Sequence, residues 1–329
     1  MLDERKASIL RTIVEEYIQT AQPVGSTHVV GAMTRAVSSA TIRNDMVVLE
    51  REGFLQQPHT SAGRIPTEKG YRFFVDHLAQ AELARADLHT VRSFFDRTHN
   101  RLEQLLADTS RLLSNLTSYA AVVVGPPHEV ATVRSLQMVR LSEQVAVTVL
   151  VLSNGALERH VIELDPTVTD LDLAAVAASL AGALVDQPLG SFVAPPPLGD
   201  PCQDQLAATV LAACRETDPT AVYVGGVARM ATAFDAVETV RAVLSVLEEQ
   251  YVVVSLLRDI VDRGLNVAIG TETGVAPLAE CSLVVAPYTV DGQTVGSIGV
   301  LGPTRMNYPQ ALAAVAVVSN QLGERLSKG

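Results

Sequence analysis

One stretch, residues 38–71, constrains the fold most, because its pattern changes from helix to strand and back within a short length. Ile42, Met46 and Leu49 recur at the spacing of one helix face and predict an amphipathic helix. Either serine at the start of the stretch is suited to cap that helix, and Gly53 is suited to end it in the left-handed conformation. The predicted helix therefore has one apolar face for packing and one polar face that packing does not need.

The polar face and the residues after the helix indicate what it is for. Short polar and basic side chains, including Arg43 and Asn44, lie near its start, where a helix can enter a major groove. A strand-like run over 54–57 leads into turn formers over 58–63, with Arg64 beside them. A helix followed by a hairpin with a basic tip is typical of a winged helix-turn-helix. The alternative interpretation is a small packing helix beside a solvated hairpin.

The residues before this stretch complete a three-helix unit. An apolar helical pattern over 2–20 predicts a first helix, and Asp3 is suited to cap it. Residues 22–26 break the pattern, and Ser26 then begins a short second helix. Two helices leading to a recognition helix are typical of a DNA-binding domain, which we place at residues 1–79.

Two blocks of the sequence resemble one known family. ATIRNDMVVLEREGFLQQPHTSAGRIPTEKGYRFFVD, from Ala40 to Asp76, and GVLGPTRMNYPQ, from Gly299 to Gln310, are similar to the HrcA family of heat-inducible repressors of bacterial chaperone operons. The resemblance implies a winged helix, a GAF-like domain and an inserted dimerising domain. It also implies a homodimer that binds the CIRCE inverted repeat as its operator. The GroE chaperonin would keep this repressor active until heat diverts the chaperonin to other proteins.

The charge is distributed unevenly. The whole chain carries a net charge of −11. Residues 1–79 hold nine Lys/Arg and nine Asp/Glu, a net charge of 0, so the other 250 residues carry all of the excess. An acidic bulk resists unspecific contact with DNA, because phosphate attraction is then confined to a small region. Tight binding would therefore need base contacts and two copies of the chain.

The pattern beyond residue 79 predicts an α+β protein. Residues 80–118 are expected to be linker helices, whose leucines fit either a short coiled coil or a helix packed on the next domain. Strand patterns return in two parts and flank a helix-rich segment, which indicates one domain interrupted by an insert. The resemblance to the HrcA family implies that the interrupted domain, at 119–165 and 246–329, is GAF-like and that the insert, at 166–245, is the dimerisation domain.

Several kinds of chemistry find no support in the sequence. Three scattered cysteines and seven scattered histidines show no metal-ligand spacing, and no phosphate-binding or dinucleotide-binding glycine motif occurs. No nucleophile lies near a base, so we expect neither an enzyme nor a cofactor. The chain has no convincing membrane span or signal peptide, so it is expected in the cytoplasm. Glu272 and Arg305 are expected to form an ion pair between distant blocks, beside which a ligand pocket is an open alternative.

The predicted partner is double-stranded DNA. Arginine can pair with guanine and asparagine with adenine in the major groove, while hydroxyls and cations near the helix start and the hairpin suit phosphates. The predicted base contacts are Ala40, Thr41, Arg43 and Asn44. The predicted phosphate contacts are Ser38, Ser39, His59, Thr60, Ser61, Arg64 and Lys69.

Two further hypotheses concern regulation. The charge-free run VAVTVLVL, over residues 145–152, is an aggregation hazard whenever it is exposed, which suits a protein that depends on a chaperonin. The alternative function is a metabolite-responsive regulator that senses a ligand in its GAF-like domain. A module that binds only other proteins is a third interpretation.

Overall fold

The computed structural model describes most of the chain. The described residues are 2–32, 37–59, 62–81, 83–97, 101–126, 132–153, 157–188, 195–215, 221–229, 234, 237–264 and 266–327. They fall into two compact units, of which the first contains residues 1–97, 109–123 and 224–329 and the second contains residues 98–108 and 124–223. Among these residues no helix is both long enough and apolar enough to pass through a membrane.

The first unit begins with helices and a short hairpin. Its elements are α1 Glu4–Thr20, α2 Ser26–Ala32, α3 Ser39–Arg51, β1 Leu55–Gln56, β2 Ile65–Pro66 and α4 Glu68–His77. Side-chain oxygens begin three of these helices, because Asp3, Ser38 and Thr67 each accept a hydrogen bond from a backbone N–H of the first turn. Gly53 adopts φ +79° just after α3, as the sequence predicts for the end of that helix.

The rest of the first unit is built on a five-stranded sheet. Its remaining elements are α5 Arg85–Arg97, α6 Leu102–Thr117, β3 Ala120–Val124, β7 Val222–Gly225, α9 Val237–Glu248, α10 Gln250–Asp262, β8 Val267–Ile269, β9 Cys281–Val290, β10 Gln293–Pro303 and α11 Tyr308–Ser327, some of which extend across the division between the units. The five strands lie in the order β7–β3–β10–β9–β8. An Asp-Gly pair predicts a two-residue hairpin turn, and Asp291 and Gly292 do turn β9 into β10, with positive φ angles of +51° and +80°.

The second block of family resemblance has a structural role in this unit. The backbone N–H of Asn307 donates to the Tyr119 hydroxyl at 2.8 Å, and Gln310 Nε2 donates to the Leu116 carbonyl at 2.7 Å. A side chain at Gly302 would lie 2.8 Å from the Tyr119 ring. These contacts hold the end of α6 and the start of β3 against the segment that leads into α11.

The second unit has its own sheet and its own core. Its main elements are β4 Val133–Ser142, β5 Val145–Leu152, β6 Leu157–Glu163, α7 Asp170–Leu184 and α8 Pro201–Arg215. The three strands are antiparallel in the order β4–β5–β6, and one face shares a buried apolar core with α7 and α8. The Asn154–Gly155 pair, whose sequence predicts a hairpin turn, lies outside the described residues. Because the strands and helices share one core, this compact unit begins earlier than the predicted insert at 166–245; the predicted domain boundaries themselves stay predictions.

Candidate nucleic-acid interface

One face of helix α3 is packed against the rest of the unit through an apolar stripe and one ion pair. Ile42, Met46 and Leu49 are buried, as the sequence predicts. Asp45 lies on the same side, and its carboxylate accepts from Arg5 Nε of α1 at 2.7 Å. The Asp45 side chain is only 9% exposed, and the paired carboxylate raises the pKa of Arg5 above its ordinary value. This ion pair fixes the rotation of α3 against α1.

The front of α3 is open. Ala40, Arg43 and Asn44 are exposed, and we call these three residues the reading surface. Thr41, the fourth predicted base contact, is half-buried, and its hydroxyl lies 2.9 Å from the Ser38 hydroxyl within the helix cap. Three of the four predicted base contacts therefore share one accessible face in the first two turns of the helix.

Two of the predicted phosphate contacts belong to the start of α3. Ser38 is exposed and caps the helix by accepting from the Thr41 N–H at 3.1 Å. Ser39 is half-buried, and its hydroxyl lies 3.0 Å from the hydroxyl of Ser26 at the start of α2. The structure thus presents Ser38 to solvent and uses Ser39 to join α2 to α3.

The hairpin after α3 is anchored at its base. Val24 and Arg64 exchange two backbone hydrogen bonds of 2.9 Å, which join the hairpin to the connection between α1 and α2. Gly63 makes this approach possible, because a Cβ there would lie 2.4 Å from the Val24 carbonyl oxygen. His59 is exposed near the tip, while Thr60 and Ser61 lie outside the described residues.

The two cations predicted to contact phosphate are both engaged within the chain. The Arg64 side chain is 15% exposed and lies 2.8 Å from Glu50 of α3. Lys69 donates to the Glu52 carbonyl at 2.7 Å, beside the Phe54 ring, and its side chain remains exposed. Lys69 is therefore accessible to a phosphate, whereas Arg64 mainly joins the hairpin to α3.

A cleft of about 540 Å³ separates the start of α2, α3 and the hairpin. Thr27, Arg43 and Gln57 line it, together with part of the hairpin backbone. Gln57 Nε2 donates to the Ala62 carbonyl at 3.0 Å and so fixes the path of the chain near the tip. The sequence does not identify Thr27 or Gln57 as site residues, since no spacing or motif distinguishes either one.

Glu272 forms a long-range ion pair as predicted, but the predicted partner, Arg305, is wrong. Glu272 binds Arg72 of α4, with Arg72 Nε donating to Oε1 at 3.0 Å. Arg305 instead lines a separate cavity of about 370 Å³ together with Tyr71 and Glu280. The sequence correctly marked Glu272 as one end of a long-range ion pair, but the other end is a cation of the N-terminal helices.

Comparison with known proteins decides the family. A model of the HrcA protein C-terminal domain matches residues 103–312. The heat-inducible transcription repressor HrcA of Rhodococcus jostii is 38% identical and covers 99% of this chain and 99% of its own length. The repressors of the same name from Nocardia farcinica and Mycobacteroides abscessus are 39% and 38% identical over 99% of this chain.

The chain belongs to the HrcA family. Members of the HrcA family are heat-inducible transcription repressors, and each relative named above carries that name and not the name of an enzyme. Among solved structures, a crystal structure of a hypothetical protein aligns with 100% of this chain and 99% of its own, with a TM-score of 0.70 at 22% identity. That likeness shows the fold alone.

Proposed function

We propose that this HrcA-family repressor reads duplex DNA with a winged helix-turn-helix made of α1–α4 and the β1–β2 hairpin. The observation that carries the proposal is the reading surface. Ala40, Arg43 and Asn44 are exposed on the first two turns of a helix whose opposite face is fully packed. A helix of this kind fits a major groove, where its first residues contact base edges.

Phosphate contacts are proposed around the reading surface. Ser38 at the start of α3 and His59 in the hairpin are both exposed, and Lys69 adds an accessible cation. Thr60 and Ser61 are proposed to act with His59 at the hairpin tip. We assign Ser39 and Arg64 to holding α2 and the hairpin in place, because their polar atoms already bind Ser26 and Glu50.

We propose that the operator is the CIRCE inverted repeat and that two copies of the chain bind it. A single helix reads few base pairs, so a pair of half-sites is required for useful affinity and specificity. The sheet β3, β7–β10 with its helices is proposed to be GAF-like.

The second unit offers a surface for the second copy. On the face of the three-stranded sheet away from α7 and α8, Val139, Val147 and Val161 form one cross-strand row. Val139 is 51% exposed and Val161 is 69% exposed. Arg159 and Glu163 border this row on the same strand, so two antiparallel copies can bring unlike charges together at the rim of an apolar contact. We call this surface the valine face and propose that it pairs with itself.

The GroE chaperonin is proposed as a further partner. The valine face includes alternate residues of β5, the strand formed by the charge-free run VAVTVLVL. Without a second copy, this face leaves apolar strand surface in water, which is an aggregation hazard and a target for a chaperonin. Dependence on the chaperonin would then be strongest for the chain that has not yet paired.

Binding to an inverted-repeat duplex tests the proposed function. Fluorescence anisotropy compares the operator with a duplex of the same length in which both half-sites are scrambled. Arg43→Ala is expected to reduce the preference for the operator by about 1–3 kcal/mol, because a bidentate contact to one base is lost. Arg43→Lys keeps the charge without the planar fork, so most of the same loss is expected.

Arg51→Ala is the matched control. Arg51 is an exposed arginine on the last turn of the same helix, so its loss changes the net charge equally. We expect it to leave the ratio of operator to scrambled affinity unchanged. Normal operator preference in Arg43→Ala would show that α3 does not read bases as proposed.

The cavity of about 370 Å³ favours a second candidate function, the sensing of a small metabolite. Its wall includes the Tyr71 ring and charges of both signs, from Glu280 and Arg305. The buried Tyr71 hydroxyl has no hydrogen-bond partner within the described part of the chain. Calorimetry against a set of amino acids and small carboxylic acids tests this function, with operator affinity as the second readout. A compound that both binds and changes operator affinity would favour it over the repressor that needs no ligand.

A further inference from the structure

Two side chains of α4 grip consecutive residues that lie about two hundred positions later in the chain. The Glu68 carboxylate accepts from the Thr271 N–H at 3.1 Å and from the Thr271 hydroxyl at 2.7 Å. One helical turn further on, Arg72 binds both carboxylate oxygens of Glu272, and its Nη2 also donates to the Val267 carbonyl at 2.8 Å. We call Glu68, Arg72, Thr271 and Glu272 the α4 clamp.

The turn that receives α4 is shaped for this contact. Gly270 has φ +55°, and a Cβ there would lie 2.0 Å from Glu68 Oε1. Glu272 Oε2 also accepts from the Ile269 N–H at 2.9 Å, which fixes the carboxylate that faces Arg72. The Arg72 side chain is 23% exposed and that of Glu272 is 32% exposed, so water screens this pair only in part. The contact is therefore directional and leaves little freedom for rotation.

The clamp joins the helix bundle that carries the reading surface to a turn of the later chain. Helix α1 packs against both α3 and α4, so the three helices form one packed body. The clamp holds this body against the turn between β8 and β9, and the Tyr71 and Tyr308 rings meet beside it with centroids 5.7 Å apart. None of the clamp residues belongs to the reading surface, so its effect on DNA binding must be through orientation.

We propose that the α4 clamp determines which distance between two half-sites the homodimer accepts; this inference rests on the proposed function. In a dimer bound to an inverted repeat, the two reading surfaces must face grooves at a fixed separation along the duplex. A rigid joint between the helices and the rest of the chain makes one separation far better than others. A loose joint spreads the two surfaces over many orientations, which lowers the effective concentration at the best separation.

Anisotropy measurements with a series of duplexes test the inference on the full-length chain. Each duplex carries the same two half-sites, with the spacer lengthened in single base pairs up to about half a helical turn, ~5 base pairs. Wild type is expected to prefer one spacer by at least about a hundredfold, and Glu272→Gln to reduce that preference at least about tenfold. Affinity for a duplex with a single half-site should remain within about twofold of wild type, because the reading surface itself is intact.

Asp76→Asn is the matched control. Asp76 pairs with the same arginine at 3.2 Å, one turn further along α4, and its side chain is 44% exposed. The variant removes one carboxylate charge beside Arg72 but leaves Glu68, Thr271 and Glu272 in contact. It should keep the wild-type spacer preference, and Glu68→Gln should weaken it as Glu272→Gln does.

The outcomes separate the inference from the proposed function. An unchanged spacer preference in both glutamine variants, with wild-type circular dichroism, would overturn the role of the clamp. Loss of single half-site binding in those variants would also overturn it, since the clamp would then be needed for the fold of the reading surface. Failure of wild type itself to bind either duplex would contradict the proposed function instead.

Discussion

Arg64 shows how a cation in a hairpin can serve mainly to hold that hairpin in position. Its sequence context, a cation beside Gly63 at the end of a turn, suggests a phosphate contact. In the structure its backbone pairs with Val24 and its guanidinium with Glu50, and only 15% of the side chain is exposed. Arg64 therefore connects the hairpin both to α3 and to the segment between α1 and α2.

Arg64→Ala is therefore expected to destabilise the protein by about 1–2 kcal/mol, because it leaves Glu50 half-buried without its partner. Urea unfolding of Arg64→Ala, Glu50→Ala and the double variant would give the coupling energy between the two side chains, for which we expect about 0.5–1.5 kcal/mol. The slope of operator affinity against salt should stay the same. A slope reduced by about 1 would mean that Arg64 binds a phosphate as well.

His160 gives the second unit a pH dependence. Its side chain is 12% exposed, and burial lowers its pKa below the ordinary value of 6.5, an effect that nearby Glu158 opposes. Below about pH 6.5 the histidine of the unfolded chain binds a proton that the folded chain does not yet bind. The free energy of unfolding therefore decreases as the pH is lowered, until the folded histidine is also protonated. The sequence, with seven scattered histidines, gave no reason to single this one out.

His160→Gln should flatten the dependence of unfolding free energy on pH below about 6.5, where one proton contributes a slope of up to about 1.4 kcal/mol per pH unit. Thermal or urea unfolding across this range measures the effect. His89→Gln is the control, since His89 is exposed on α5. If wild type and His160→Gln show parallel pH profiles, His160 does not carry this dependence.

At the scale of single elements, the local sequence pattern predicts many helix features, but it predicts few of the contacts between distant residues. The stripe of α3, its serine cap and Gly53 at its end all follow from spacing and local chemistry. Helix α10, Gln250–Asp262, was not predicted, because its valine-rich start resembles a strand as much as a helix. The pairing of Arg72 with Glu272 joins residues 200 positions apart, and no local pattern carries that information.

The hairpin depends on a close backbone approach between Gly63 and Val24. Gly63→Ala places a methyl group 2.4 Å from the Val24 carbonyl oxygen, so the hairpin must move away from the α1–α2 connection. We expect a loss of about 1–3 kcal/mol of stability together with weaker operator binding. Gly31→Ala is the control, because nothing lies within 4 Å of the added carbon and α2 gains a better helix former. Equal stability in the two variants would show that the close approach at Gly63 is dispensable.

For the whole molecule, the sequence indicated an interrupted domain but not which strands belong together. The predicted domains place β4–β6 with the later strands, in the GAF-like domain at 119–165 and 246–329. In the structure β3 lies beside β10, and β4–β6 share a core with α7 and α8. Alternation identifies a strand with one buried face, but it does not identify the helix or sheet that covers that face.

The uncovered face of β4–β6 is where association of the whole molecule can be tested. Val161→Asp puts a charge into the cross-strand row of the valine face, and an interface between two copies would bury that charge twice. We expect dimerisation to weaken at least about tenfold, or ~1.4 kcal/mol, as measured by sedimentation over a range of concentrations. Leu171→Asp is the matched control, since Leu171 is 82% exposed in the same unit but lies on α7. If Val161→Asp remains as dimeric as Leu171→Asp, the two copies meet elsewhere, and the valine face is left as a surface for the chaperonin alone.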